Sequence, residues 1–227
     1  MLLLDESFAS LDASLRVELR GVIHRLLREL EITTALVTHD QDEAFVMGDE
    51  VAVMHDGEIR QVGRPADLYR YPADPWVAGF VGDANFVPGE LTGDTVVTAL
   101  GDLEVGQRHG ASDRWHVLAR PEHLLLAPAL QTSERAGRVE FVEFYGHDTV
   151  YLVKLFDGSD VKARVGAAPV HSEGDLVQLS YVGPPPNVYA TTAADRTVPD
   201  AAVLGEAVLG GAVLGEAVAD VTSRLVK

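Results

Sequence analysis

Apolar residues at Leu15, Leu19, Val22, Ile23, Leu26, Leu27 and Leu30 recur at three- and four-residue spacing. That period predicts an amphipathic helix over residues 11–30, with Asp12 as its N-cap. Ahead of it, Leu2-Leu3-Leu4 is an unbroken apolar run ending in Asp5-Glu6, the pattern of a buried parallel strand. Residues 32–38, β-branched and apolar, predict a second buried strand, and residues 40–47 a short helix stopped by Gly48. Strand, helix, strand, helix in close succession predicts a parallel βαβ arrangement. Asp56-Gly57, set between two apolar stretches, predicts a hairpin over residues 50–62. Two helical pieces follow, 65–71 and 75–81.

Past Gly82 the period shortens to two. Segments 87–91, 95–100, 116–119, 138–145, 149–155, 160–165 and 176–182 alternate between Gly, Asp and Pro signals, predicting a small all-β barrel or sandwich with Asp157-Gly158 as a hairpin turn. Beyond Thr191 the chain is Ala/Val/Gly-rich, and Ala-Val-Leu-Gly-Glu-Ala-Val occurs at 202–208 and 212–218. Two copies are too few for a solenoid, and the segment reads as a low-complexity tail or loose helix. The expected fold class is α/β plus all-β, divided at 1–83, 84–196 and 197–227. A buried strand needs neighbours on both sides and nothing precedes Leu2, so the chain is expected to be truncated at its start, with an exposed sheet edge.

Charge narrows the partners. The 227 residues carry 18 Lys+Arg against 35 Asp+Glu, a formal charge of −17. The deficit is spread as −9, −6 and −2 over the three segments, leaving no basic half for nucleic acid or an anionic membrane. Cysteine is absent, which excludes disulfides and thiolate chemistry in this sequence.

The chemistry sits at strand ends. Asp5 and Glu6 close one apolar strand, and Thr38-His39-Asp40 closes the next, so the three groups are expected at one edge of a parallel sheet, where ligand sites form. In nucleotide hydrolysis one carboxylate of such a pair holds Mg²⁺ and the next orients the attacking water. A neutral His beside them suits a γ-phosphate or that water. The competing reading is a charged strand edge with a capping histidine.

Leu2-Leu3-Leu4-Asp5-Glu6-Ser7-Phe8-Ala9-Ser10-Leu11-Asp12 resembles the Walker B strand and D-loop of ABC transporter ATPases, and residues 37–44 resemble their H-loop. The resemblance implies a truncated RecA-like P-loop ATPase core in which Asp5 is the Mg²⁺ carboxylate and Glu6 the catalytic one. It makes His39 the γ-phosphate switch and Asp12 a contact across a dimer of nucleotide-binding domains. Ser7 stands where the family usually has proline. Residues 56–65, 68–75, 77–82 and 85–86 resemble the core exit of importer subunits. Arg120-Pro121-Glu122, residues 137–140, residues 145–148 and residues 174–177 resemble their C-terminal OB-like TOBE domain. Within that group, 72–89 is most similar to ferric-iron and polyamine importers, with sulfate and sugar importers next. The implied cofactors are ATP and Mg²⁺. The implied partners are a second ATP-binding subunit, transmembrane permease subunits and a solute-binding protein, with the subunit peripheral on the cytoplasmic face of the plasma membrane.

ATP binding in this family needs a Gly-rich loop ending Gly-Lys-Ser/Thr. The three lysines, Lys154, Lys162 and Lys227, each follow Val, and no Leu-Ser-Gly-Gly-Gln signature is present. The chain is therefore expected to be the C-terminal portion of such a subunit, inactive by itself and without a bound cofactor. The alternative is a non-enzymatic regulatory or ligand-sensing module built on the β-domain. His109, His116 and His123 recur every seven residues, but Gly110 and Pro121 break any helix that would align them on a metal. Arg120 with Glu122 reads as a structural pair rather than an anion site, and Trp76, Phe80 and Val81 as interdomain packing rather than a base-stacking surface.

Overall fold

The computed structural model describes residues 1–129, 135–191 and 212–214. It is mostly β-sheet with few helices. One compact unit comprises Met1–Ala73 with the strand Ala212–Leu214, and a second begins at Asp74.

In the first unit, β1 (Leu2–Asp5) leads into α1 (Ala13–Glu29), β2 (Thr34–Thr38), α2 (Gln41–Met47), β3 (Val51–His55), β4 (Glu58–Gly63) and α3 (Pro65–Arg70). β1 and β2 pair in parallel, with Asp5 opposite Val37. Asp12 caps α1 as its spacing predicts, accepting from the Leu15 amide at 3.0 Å. The hairpin also forms where expected, because Asp56 and Gly57 take φ of +50° and +79° between β3 and β4. Gly48 ends α2 in an extended conformation rather than a left-handed cap. The expectation of a buried first strand is corrected: β1 is a sheet edge, and Leu3 is 63% exposed. The apolar stripe Leu15, Val22, Leu26 and Leu30 of α1 is likewise exposed. Burial in this unit centres on Leu36, Val51, Ala52 and Val53 of the central strands, with Phe8 and Leu68.

The second unit runs through α4 (Pro75–Phe80), β5 (Asn85–Thr92), β6 (Thr95–Thr98), β7 (Gly101–Glu104), β8 (Arg108–His109), β9 (Trp115–Ala119), β10 (Leu124–Pro128), β11 (Ala136–Phe144), β12 (Thr149–Leu155), β13 (Asp160–Val165), β14 (Leu176–Tyr181) and β15 (Val188–Ala190). These form a sheet ordered β7-β6-β5-β9-β15-β8 and a sheet ordered β10-β14-β11-β12-β13. A shared core that includes Val87, Ala119, Leu124, Tyr151, Val153 and Leu179 lies between them. β7, β8, β10 and β15 lie outside the segments that alternation marks. β8 and β15 are two and three residues long, too short to show a period.

The last element, β16 (Ala212–Leu214), belongs to the first unit and lies between β2 and β3. At these three residues the structure corrects the loose-helix reading of the tail, whose other residues lie outside those described.

Asn85 ties the two sheets of the second unit together. Its side-chain amide donates to Ala119 O at 3.0 Å and Lys162 O at 2.8 Å, and its oxygen accepts from the Lys162 amide at 2.8 Å. At 1% exposure, its loss strands three polar backbone groups. Asn85→Ala should therefore destabilise this unit by about 2–4 kcal/mol in urea unfolding, and an unchanged midpoint would contradict this role. Alkali supplies a second test. The Tyr181 hydroxyl donates to Pro184 O at 2.7 Å, and burial, reinforced by the Glu122 charge, pushes its pKa up to about 12. Burial raises Tyr189 as well. A raised phenol pKa means that folding holds the proton, so this stability is full below about pH 10 and declines as pH rises through 12. The decline should shrink in the Tyr181→Phe/Tyr189→Phe double variant, followed by thermal melts across that range.

Candidate functional site

The two strand ends converge as their sequence predicts. The Glu6 amide donates to Val37 O at 2.9 Å, continuing the β1–β2 ladder one residue past β1. Glu6 takes φ of +43°, a left-handed conformation costing a non-glycine residue roughly 1–3 kcal/mol. It starts a tight loop in which the Ala9 amide donates to Glu6 O and buried Phe8 serves as anchor. This conformation brings Glu6 Oε1 to 3.3 Å from His39 Nδ1. The two side chains are 57% and 53% exposed, so their contact contributes at most about 1 kcal/mol to folding. The strained backbone at Glu6 thus supports an exposed acid–imidazole pair rather than a stability device.

Asp5 lies at the end of β1, exposed, opposite Val37. Asp12 serves as the α1 cap, accepting from the Leu15 amide. Among the described residues no three His, Cys, Asp or Glu side chains form a ready cation cage. The exposed Asp5 carboxylate fits Mg²⁺ in the way that ion is commonly held, through one carboxylate with water and phosphate oxygens completing the shell.

Beneath this pair lies a polar network that sequence reasoning did not single out. Asp40 caps α2, its Oδ1 accepting from the Asp42 and Glu43 amides at 2.9 and 3.2 Å. Its Oδ2 accepts from Arg16 Nη1 at 3.1 Å, and Arg16 Nη2 donates to Leu11 O at 3.0 Å. Buried Glu43 accepts from Thr38 Oγ1 at 2.6 Å, while Thr38 Oγ1 accepts from the Asp40 amide at 3.0 Å. Arg16 therefore joins the loop after Glu6 to the turn after His39. Asp40-x-x-Glu43 has capping-box spacing, a signal that marks the helix start, but Glu43 turns back to Thr38 instead of the cap amide.

The other singled-out groups are spent elsewhere. Arg120 is buried and donates from Nη1 to Ala78 O, Gly82 O and Asp83 O at 2.9–3.0 Å, clamping the end of α4. His109 stacks on Tyr189, His116 meets Thr191, and His123 packs edge-on against Tyr181. Trp76 stacks on Phe80 at 5.1 Å. A cavity of about 440 Å³ is lined by His24, Leu27, Arg28, Ile32, Leu36 and Met47, among others, and does not include Glu6 or His39. If Arg16 is the brace described, Arg16→Met should lower stability by about 1.5–3 kcal/mol and broaden the His39 ring resonances in NMR spectra. Wild-type His39 line widths would count against it.

Comparison with known proteins identifies residues 117–182 as a TOBE domain. A spermidine/putrescine import ATP-binding protein of Ruegeria pomeroyi is 37% identical over 193 residues, 81% of this chain and 52% of the relative. An Fe(3+) ions import ATP-binding protein of Pseudomonas fluorescens is 35% identical over 196 residues, 84% of this chain and 55% of the relative. A second spermidine/putrescine import protein, from Oleidesulfovibrio alaskensis, reaches 42% over 134 residues, 56% and 36% of the two chains. The chain spans about half the length of the first two relatives. With the TOBE match and this identity across most of its own length, the chain belongs to the family of ABC importer ATP-binding subunits.

Proposed function

We propose that the chain is the portion of an ABC importer ATP-binding subunit running from the Walker B strand through the TOBE domain. On this reading, residues 1–83 belong to a RecA-like ATPase core, 84–196 form the regulatory β-domain, and 197–227 are a tail. The observation that carries it is the 3.3 Å contact between Glu6 and His39 at the ends of adjacent parallel strands. Asp5 would hold Mg²⁺ through water, and the ion when bound would supply electrostatic stabilisation of the phosphate oxygens. Glu6 orients the attacking water and accepts its proton. His39, with Nδ1 turned to Glu6, presents its other ring nitrogen to the γ-phosphate, and Asp12 meets the second ATP-binding subunit of a dimer. Hydrolysis drives import through permease subunits and a solute-binding protein, with the subunit on the cytoplasmic face of the membrane. Relatives named for polyamine and ferric-iron import favour one of those two cargoes.

Residues 1–227 carry no Gly-Lys-Ser/Thr loop, and phosphate positioning supplies most of the rate in phosphoryl transfer. This span by itself should therefore show no Mg²⁺-ATP hydrolysis above the uncatalysed rate. Joined to the phosphate-loop-bearing part of the Ruegeria relative, it should hydrolyse ATP, with Glu6→Gln lowering kcat at least about 100-fold. Hydrolysis by 1–227 that disappears in Glu6→Gln, or a joined protein indifferent to that change, would overturn the assignment. A second reading, a ligand-sensing module without catalysis, is favoured by the TOBE match lying wholly inside a unit with its own core. Saturable binding of an oxyanion, metal ion or polyamine in calorimetry, with the joined protein inactive, would select it.

A further inference from the structure

One buried cation next to the candidate site has no role in it so far. Arg20 lies one turn past Arg16 on the same face of α1 and is 7% exposed. Its Nη1 has no hydrogen-bond partner among the described residues, a costly condition for a buried charged donor. Among those residues Asp40 is the one carboxylate within ion-pair distance of Arg16 or Arg20. Arg20 Nη1 stops 4.0 Å from Asp40 Oδ1, beyond the roughly 2.7–3.2 Å of an N–H···O bond.

The gap has its cause in Asp40 itself. Oδ2 accepts from Arg16 Nη1, and Oδ1 accepts from both the Asp42 and Glu43 amides. Those two bonds use both lone pairs of Oδ1, so Arg20 gains this acceptor only if α2 gives up an amide. The Asp42 bond is exposed, so water can replace the carboxylate there. In exchange the carboxylate gains a bond that is charged on both sides. Asp40 directly follows His39, and its amide donates to Thr38 Oγ1. Turning Asp40 toward α1 therefore turns the short segment that carries the imidazole.

We propose that Arg20 is a positioning residue for His39, and that Asp40 Oδ1 passes from the α2 amides to Arg20 as His39 takes up its phosphate contact. The inference rests on the ATPase reading of Glu6 and His39. Arg16 holds the turn in both arrangements through Oδ2, whereas Arg20 holds it only in the phosphate-contacting one.

The joined protein, completed by the phosphate-loop-bearing part of the Ruegeria relative, supplies the test. Binding of Mg²⁺ with a non-hydrolysable ATP analogue should speed hydrogen exchange of the Asp42 amide at least threefold, and Arg20→Met should abolish that change. In turnover, Arg20→Met should lower kcat at least tenfold with KM for ATP within threefold. Arg20→Lys, which keeps a charged donor, should recover most of the loss. Asp40→Asn keeps an oxygen for the α2 cap but removes the charge that Arg20 would pair with. In that background Arg20→Met should change kcat less than twofold. An equal loss in both backgrounds, the mark of a merely structural arginine, overturns the proposal, as does Asp42 exchange that the analogue leaves unchanged or slows. Hydrolysis that depends on Glu6 but not on Arg20 overturns this inference alone. Hydrolysis that is absent, or indifferent to Glu6→Gln, overturns the ATPase reading with it.

Discussion

The backbone of β2 must be paired along both edges, and the rest of the first unit follows from that requirement. On one edge it holds β1, and the ladder carries past the end of β1 to the Glu6 amide on Val37 O. On the other edge it pairs with β16. The ladder brings Glu6 beside the end of β2, and the left-handed backbone at Glu6 sets its carboxylate against His39. Local strain is tolerated there because pairing on β2 and the buried Phe8 anchor over-determine the loop.

Several polar groups next to that strand end pair with one another, although Arg16 Nε is buried without a hydrogen-bond partner among the described residues. Asp40 divides its two oxygens between the α2 amides and Arg16, and Arg16 divides its nitrogens between Asp40 and Leu11 O. Glu43, at 2% exposure, is tolerated through the Thr38 hydroxyl. Asn85 applies the same logic in the second unit, where one amide side chain saturates backbone groups of two different sheets. In both places a single side chain with donors or acceptors on two sides joins elements that apolar packing would only press together.

Most elements were legible in the sequence because their signals are local. The α1 period, the Asp12 cap and the Asp56-Gly57 turn each depend on residues within a few positions of one another. The site was legible in the same way, since Glu6 and His39 end successive apolar strands whose order nearly dictates that they meet. What escaped was non-local or too short. β8 and β15 carry no period, and Arg16 gives no local signal because its partners come from a loop and from the cap of another helix. Burial of β1 was over-read, because an apolar run records what a strand is suited to pack against and not whether a neighbour is there.

The sequence by itself determined the elements of the first 81 residues, the two Asp-Gly turns, the Asp12 cap and the types of group at the strand ends, all functions of near neighbours along the chain. Motif order and composition also carried the family, since matching it needs no coordinates. Only the tertiary structure decided that Arg16 braces Asp40, that Asn85 bridges two sheets, and that a strand from the repetitive tail lies between β2 and β3. Those outcomes depend on which backbone groups would otherwise be buried unpaired, and that is known only once distant segments share one interior.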